Sequence, residues 1–288
     1  RTGLVPPEER PESEAALYGS QIFFGHFAIS VIAQERHQSW ERIGREGLGQ
    51  AEASTEDLHV RLADWTITRQ DDETILLRAA SGETAEKPFV LHGQDGVHQK
   101  SGLPGQASLY ISFKRLNTNG TIRWQGKDFT VRGQSWMDHE FGSDQLSEEQ
   151  VGWDWFALQL DNGEDLMLYE LRQKDGTATP QSSGSLVGPD GNHTEITSAE
   201  YEIEELDTWK SPHSGADYPM KWRITVPGYE GSLTVAPVFK DQEMITEQTA
   251  GTTYWEGAVR ISGTWRGKSI SGKGYVELVG YAEEFTQL

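Results

Sequence analysis

Apolar and polar residues alternate over many short stretches of this chain, and polar clusters rich in glycine, aspartate and asparagine separate these stretches. The stretch LHVRL (58–62) places its apolar side chains on one face, as expected of a half-exposed β-strand. The run QIFFGHFAISVIA (21–33) is more continuously apolar and predicts a buried strand, whereas the polar segment 34–50 is compatible with a helical turn or a long loop. Strand-sized segments that recur every ~8–12 residues favour an all-β sandwich or barrel.

Turn signals support the same fold class. WDWFALQL (153–160) and EDLMLYELR (164–172) are joined through Asp161-Asn162-Gly163, a strong hairpin signal. The segment NTNG (117–120) separates two further strand candidates. Other predicted turns lie at Asp175-Gly176, Pro189-Asp190-Gly191, Pro227-Gly228 and Arg266-Gly267.

A weak internal repeat bears on domain organisation. SWMDHEFGS (135–143) and YWEGAVRISG (254–263) both place a tryptophan and a carboxylate at the head of a late strand candidate. Both follow a comparable series of predicted hairpins. The similarity suggests a duplication, with the second copy beginning near Gly152.

Composition excludes several function classes. The 288 residues include 45 acidic and 25 basic side chains, a formal charge of −20 that disfavours binding to nucleic acid or to an anionic membrane. No cysteine is present, so the chain has no disulfide, thiolate metal site or cysteine nucleophile. No apolar run approaches the ~18–20 residues of a spanning helix, so we do not expect an integral membrane protein. Residues 1–20 are rich in proline and glutamate and predict an irregular loop, with any signal peptide upstream.

Several longer segments resemble the AttH family, which is related to carotenoid 1,2-hydratases. The resemblance is carried by SWMDHEFGS, by the following GWDWFALQLDNGEDLMLYELR, and by segments 23–30, 87–116, 241–243, 254–259 and 272–281. Together these segments cover most of the chain in the family's order. Family members usually open with an EWWY-type hairpin before the segment that begins here at Arg1, so we expect this hairpin upstream in the natural chain; a first barrel without it would lack a strand pair.

The resemblance implies two lipocalin-like (calycin) antiparallel β-barrels packed side by side, which we assign to residues 1–150 and 151–288. It also implies export to the periplasm or beyond, and a partnership with an ABC-type transporter. Members have been labelled secreted hydrolases. Related proteins hydrate isoprenoid double bonds, and others assist the cyclisation of apolar polyketide-like substrates.

The strand candidate 135–141 carries the best candidates for acid catalysis. Its period of two places Trp136, Asp138 and Glu140 on one face and His139 on the other. A carboxyl buried against an apolar ring has a raised pKa and can act as a general acid, so Asp138, His139 and Glu140 are candidate catalytic residues. Alternatively, these carboxylates accept structural hydrogen bonds from backbone N–H groups or from an arginine between the domains.

Four aromatic residues are candidates for ligand binding: Trp136, Trp153, Trp155 and Tyr169. Protonation of an alkene creates a carbocation, and aromatic faces stabilise cations through their quadrupole. The alternative for Trp153 and Trp155, which share a face of one strand candidate, is that they fill the bottom of a barrel.

The sequence contains no motif for metal binding or for a serine hydrolase. The eight histidines form no H-x-H or H-E-x-x-H pattern, and no G-x-S-x-G elbow is present, so we predict no metal and no cofactor. HGQDGVH (92–98) is interpreted as a loop at the mouth of a barrel.

Three functions remain open. The first is an exported lipocalin-like protein that binds an apolar ligand, a lipid or isoprenoid, in a barrel or at the domain interface, in lipid metabolism or transport. The second is an enzyme of acid-catalysed hydration or isomerisation, or a hydrolase. The third is a structural partner in envelope assembly. An enzyme needs a carboxyl or imidazole facing the ligand, whereas a binding protein tolerates the loss of any single carboxylate.

Overall fold

β-strands account for most of the protein, as the turn and alternation patterns predict. The computed structural model describes residues 2–3, 21–46, 49–54, 57–70, 74–78, 82–85, 89–103, 106–142 and 146–285. Within these ranges, helical structure is limited to two short 3-10 turns, Ile32–Gln34 and Pro227–Tyr229. None of the helical segments in the described ranges has the length and apolar character needed to traverse a bilayer. The all-β prediction is confirmed; the loop predicted for residues 1–20 lies outside the described residues, except for Thr2–Gly3.

The first sheet is a three-stranded antiparallel hairpin unit. Its strands are β1 (Thr2–Gly3), β2 (Gln21–Val31) and β3 (Arg36–Arg45). The predicted strand in 21–33 is present, but Phe23 is its one buried residue among 22–31. The expectation of a helical turn or loop throughout 34–50 is wrong, because β3 pairs with β2 along its whole length, from Val31↔Arg36 to Ile22↔Arg45. A mostly polar strand of this kind depends on its partner, which no local pattern reveals.

The second sheet has nine strands. They are β4 (Ala51–Ala53), β5 (His59–Leu62), β6 (Trp65–Arg69), β7 (Thr74–Arg78), β8 (Gly82–Ala85), β9 (Val90–Leu91), β10 (Val97–Gln99), β11 (Ala107–Trp124) and β12 (Lys127–Phe141). β11 and β12 form a long hairpin. The predicted turn at 117–120 is wrong: β11 continues through it, because a tight turn forms instead at Gln125-Gly126, where φ is +49° and +74°.

The third sheet has ten strands and curls around its own core. They are β13 (Gln150–Leu160), β14 (Asp165–Gln173), β15 (Ser183–Val187), β16 (His193–Thr197), β17 (Glu202–Lys210), β18 (Asp217–Val226), β19 (Gly231–Pro237), β20 (Glu243–Ile245), β21 (Thr253–Trp265) and β22 (Lys268–Val279). Phe156 on β13 contacts Trp222 on β18 with ring centroids 5.4 Å apart, although three strands separate them in the sheet. Such a contact requires the sheet to curl strongly around one core, as the sheet of a calycin-like half-barrel does.

The sheet topology bears on two features predicted from the sequence, the domain boundary and the internal repeat. All strands of the third sheet come from residues 150–279, so the change of sheet falls near the predicted domain boundary. The two segments of the internal repeat are not equivalent, because Trp136 lies towards the end of β12 and Trp255 lies near the start of β21. The predicted turns at 161–163, 175–176, 189–191 and 266–267 are confirmed, each with a glycine at positive φ.

Candidate functional site

The candidate site lies between the second and third sheets, where β11 and β12 face the outer side of β13 and β14. Tyr110 is packed there with Met167, Tyr169 and Leu171, all buried. Partly buried residues complete this inter-sheet cluster: Trp136, Leu146, Trp153 and Trp155. Each strand contributes alternate residues, so the alternation of the sequence is what brings these side chains to one interface.

A β-bulge in β11 lies where the second sheet contacts the third sheet. The register passes from Phe113↔Met137 to Leu116↔Ser135, so two residues of β11 oppose Trp136 alone. Arg115 forms an ion pair with fully buried Asp165 on β14 at 2.6 Å. Lys114 Nζ donates to Ser185 Oγ on β15 at 2.8 Å. The bulge therefore directs two consecutive basic side chains at the third sheet.

Asp138 lies at the centre of a hydrogen-bond network. Its carboxylate accepts from the Tyr110 hydroxyl (2.7 Å), the Ser112 hydroxyl (2.5 Å) and Trp136 Nε1 (2.7 Å). Trp155 Nε1 in turn donates to the Tyr110 hydroxyl oxygen at 3.0 Å. Through Tyr110, Asp138 of the second sheet is connected to Trp155 of the third.

The environment of Asp138 raises the pKa of its carboxyl. Solvent reaches this side chain, yet protein atoms crowd it on most sides, and this desolvation raises its pKa above the ordinary 3.8. The hydrogen bond from Ser112 and the charge of Lys114 act in the opposite direction without reversing the shift. Burial and the charge of Asp138 also raise the pKa of Tyr110 far above its usual value, so this phenol stays protonated.

Two histidines of the loop 92–98 are part of the same network. His92 Nε2 contacts Ser112 Oγ at 2.8 Å, and His98 Nε2 contacts the Tyr169 hydroxyl. Burial lowers the pKa of His92 strongly and that of His98 to about 3, and the nearby lysines add to both shifts. Both imidazoles are therefore neutral near neutral pH and serve as hydrogen-bonding groups, not as cations.

Glu140 has a structural environment, unlike Asp138. It forms an ion pair with buried Lys100 and accepts a hydrogen bond from Ser108. The ammonium of Lys100 also lies 5.1 Å from the ring centre of Tyr110 and 5.2 Å from that of Tyr169. A carboxylate paired in this way is a weak candidate for proton donation. Its partners are a lysine and a serine, not the backbone N–H groups or the arginine of the structural alternative.

The structure brings together most of the residues proposed from sequence. Trp136, Asp138 and Glu140 share one face of β12, and Trp155 and Tyr169 meet them from the third sheet. Trp153 lies at the edge of this group, where its Nε1 donates to Glu277 at 2.9 Å. His139 is exposed on the opposite face of β12, with its ring 5.1 Å from that of Phe141, so the structure does not bring it to the site.

A cavity of about 600 Å³ adjoins the network. It is lined by loop residues 93–95 and 97–99 together with Gln181 and Ser183. His98 and Ser183 lie both in its wall and in contact with Tyr169, so a ligand in this cavity reaches the edge of the inter-sheet cluster. The loop HGQDGVH, interpreted from sequence as the mouth of a barrel, lies beside this inter-sheet site.

Sequence reasoning missed the contribution of β11. Ser108, Tyr110, Ser112 and Lys114 alternate with apolar residues in ASLYISFKRL, and the four are buried. A polar row on one face of a strand that is apolar on the other was a detectable signal. The burial of His92 and His98 was not, because it depends on the third sheet.

Comparisons with known proteins agree with the fold. The AttH-like family model matches residues 1–281. A solved AttH structure from Nitrosomonas europaea has 31% sequence identity and a TM-score of 0.80, covering 91% of this chain and 82% of that one. A solved kievitone hydratase from Nectria haematococca has 17% identity and a TM-score of 0.67, covering 90% of this chain and 80% of that one, and shows the shared fold alone.

One curated relative is also similar in sequence. Kievitone hydratase of Fusarium solani subsp. phaseoli is 25% identical over 157 residues, which make up 54% of this chain and 43% of that protein. The match thus spans less than half the length of the relative.

Proposed function

The chain belongs to the AttH-like family, and from this premise we propose that it is a hydratase-like enzyme that adds water to a carbon–carbon double bond of an apolar substrate. The similarity to kievitone hydratase supports this reaction class. We place the substrate between the second and third sheets, with a lipid or isoprenoid as its chemical class.

The observation that carries the proposal is the position of Asp138. Its carboxyl has a raised pKa and lies beside the tryptophans of the inter-sheet cluster, and among the described residues it has no ion-pair partner of the kind that Lys100 provides for Glu140. Alkene hydration needs an acid that is protonated near neutral pH and an aromatic surface that stabilises the resulting cation.

The proposed reaction begins with proton transfer from Asp138 to one alkene carbon. The positive charge that develops on the neighbouring carbon is stabilised by the rings of Trp155 and Tyr110. The ring of Trp136 is not assigned this role, because the ammonium of Lys114 already lies 4.5 Å from its centre. A water molecule then adds to the cation and loses a proton. Tyr110, as a donor to Asp138 and an acceptor from Trp155, orients the acid.

Ligand binding without a reaction is the second candidate. Inside the third sheet, fully buried side chains such as Phe156, Leu158 and Trp222 fill the core, which favours the space between the sheets over the barrel interior as the binding site. Export to the periplasm and the partnership with an ABC-type transporter stay predictions.

The proposal is tested by incubating the protein with kievitone, and with simple isoprenoid alkenes, in water labelled with heavy oxygen. We expect products that gain one labelled water by mass spectrometry, and a loss of about 100-fold or more in rate for Asp138→Asn. Asp128→Asn is the matched control, because Asp128 lies on the same strand in an exposed pair with Arg123. Undiminished turnover in Asp138→Asn excludes this acid, and tight binding of the compounds without any turnover favours the binding function.

A further inference from the structure

Two further carboxyls face the inter-sheet space from the third sheet. Glu256 on β21 and Glu277 on β22 are directly opposite each other in the antiparallel register. Side chains at such positions lie on the same face, with Cβ atoms about 4.5–5.5 Å apart. Glu277 is also directly opposite Trp155 on β13, so this pair shares the face that carries Trp153 and Trp155.

Few neighbouring groups offset the negative charge of Glu256 and Glu277. Both side chains are partly buried, and Trp153 Nε1 donates to Glu277 at 2.9 Å. No described residue forms an ion pair with either carboxyl. Two adjacent carboxylates without a cation are costly to hold in protein surroundings, and a shared proton removes most of that cost.

The groups around Glu256 and Glu277 also favour the sharing of a proton. Burial, with the added charges of Glu256 and Glu277, raises the pKa of Tyr254 and of Tyr275, so both phenols stay protonated and offer no cation to the pair. Asp138 and Glu140 lie near Glu277 on the second sheet; the negative charge of Glu140, and that of Asp138 once it has given up its proton, add to the effect of burial on the pKa of Glu277. Burial and the mutual repulsion raise the pKa of Glu256 to about 8, and burial raises that of Glu277 to about 7.

We infer that Glu277, sharing a proton with Glu256, is the base that takes the proton from the attacking water. This inference rests on the proposed hydration. Asp138 gives its proton to one alkene carbon as the double bond opens, the water oxygen bonds to the other carbon, and a water proton moves to the Glu277 carboxylate. Exchange with solvent then returns a proton to Asp138 and removes one from the pair.

Asp138 and Glu277 lie on opposite sheets. Asp138 reaches the space from β12, and Glu277 reaches it from β22, with Trp155 beside Glu277 in register and hydrogen-bonded to Tyr110. A substrate held against these rings has a proton donor on one side and a proton acceptor on the other. General acid–base catalysis needs this division when both protons move within one site.

The first test needs no substrate. Infrared spectra are recorded over a pH series in an Asp138→Asn background, which removes the carboxyl proposed as the acid. A protonated carboxyl band should disappear at lower pH once Glu277→Gln is added, because Glu256 then loses the repulsion of its neighbour, and it should be unchanged in the matched control Glu202→Gln, an exposed glutamate on β17. A band that titrates at the same pH with and without Glu277→Gln overturns the inference. Loss of the band on addition of calcium alone also overturns it, because the pair is then a cation site.

The second test uses kievitone or whichever isoprenoid alkene is hydrated. We expect Glu277→Gln to lower kcat by about 100-fold and to abolish the rise of rate with pH on the acidic side, where the base loses its proton. Glu202→Gln should leave both unchanged. Unchanged kcat and pH profile in Glu277→Gln overturn the inference while the hydratase proposal stands; absence of turnover in the wild type overturns both, and the infrared result then reports on the carboxyl pair alone.

Discussion

Along β13, even-numbered side chains point into the core of the third sheet, and odd-numbered side chains point at the second sheet. Phe156 and Leu158 on the even side have no exposed surface and contact only the apolar core. Trp153 and Trp155 on the odd side keep part of their surface, and each indole N–H donates to a polar partner. One strand therefore separates a face that stabilises the fold from a face that can hold reactive groups.

Carboxyls on the two sides of β13 show the same contrast. Asp154, on the even side, is paired with Arg172 at 2.9 Å and accepts a hydrogen bond from Tyr281 at 2.9 Å. Glu277, beside the odd side, accepts one hydrogen bond, from Trp153. A buried carboxyl with an arginine and a tyrosine is a structural element, whereas a carboxyl left to share a proton with its neighbour is available for chemistry.

The largest expected effect is on the apolar side. Phe156→Ala removes a ring that packs edge-on against Trp222, and the cavity should lower the free energy of unfolding by about 3–5 kcal/mol. Urea denaturation followed by tryptophan fluorescence measures this change. Phe129→Ala on exposed β12 is the control, expected to change stability by about 0.5 kcal/mol or less. Equal losses in both variants would mean that the even face is not the stabilising one.

Loss of the Arg115–Asp165 ion pair between the second and third sheets should lower the free energy of unfolding by nearly as much. Arg115→Met removes the ion-pair partner of fully buried Asp165 and should cost about 3–5 kcal/mol. The double variant Arg115→Met/Asp165→Leu should recover part of this loss, because no buried charge is then left without its arginine. Urea denaturation of the single and double variants measures both values, and no recovery in the double variant contradicts the ion-pair explanation.

The carboxyl pair should make stability depend on pH. Folding raises the pKa of Glu256 to about 8 and that of Glu277 to about 7, from an ordinary value of 4.5. The contribution of such groups is therefore fully present below the ordinary value and is lost as the pH rises through the raised values. Glu256→Gln, which cannot ionise, should have a higher Tm than the wild type at about pH 9 and the same Tm at about pH 4. A constant difference in Tm across this range contradicts the shared proton.

The smallest effect on stability is expected on the odd face. Trp155→Phe keeps an aromatic ring and removes the N–H that donates to Tyr110, a change of about 1 kcal/mol. If Trp155 positions Tyr110 and through it Asp138, kcat for hydration should fall about tenfold while KM changes little. A rise in KM alone would instead show that the ring only binds the ligand.

Local pattern was sufficient for much of the fold and for part of the site. Alternation placed Trp136, Asp138 and Glu140 on one face of a strand with His139 on the other, and the structure confirms these faces. Local pattern failed where a partner decides the conformation. Residues 36–45 form a strand because β2 pairs with them, and NTNG lies within β11 because the turn forms further along.

What the sequence determined by itself is the class of structure, the faces of its strands and the chemistry that each face offers, because a strand's period of two is a property of its own backbone. Only the tertiary structure decided which faces meet. It set Glu140 beside Lys100 and left Asp138 beside Tyr110, and it placed Glu277 directly opposite Trp155 of β13, a strand distant in the chain. The pKa of a carboxyl depends on burial and on neighbouring charges, and those are fixed by strands that are distant in sequence.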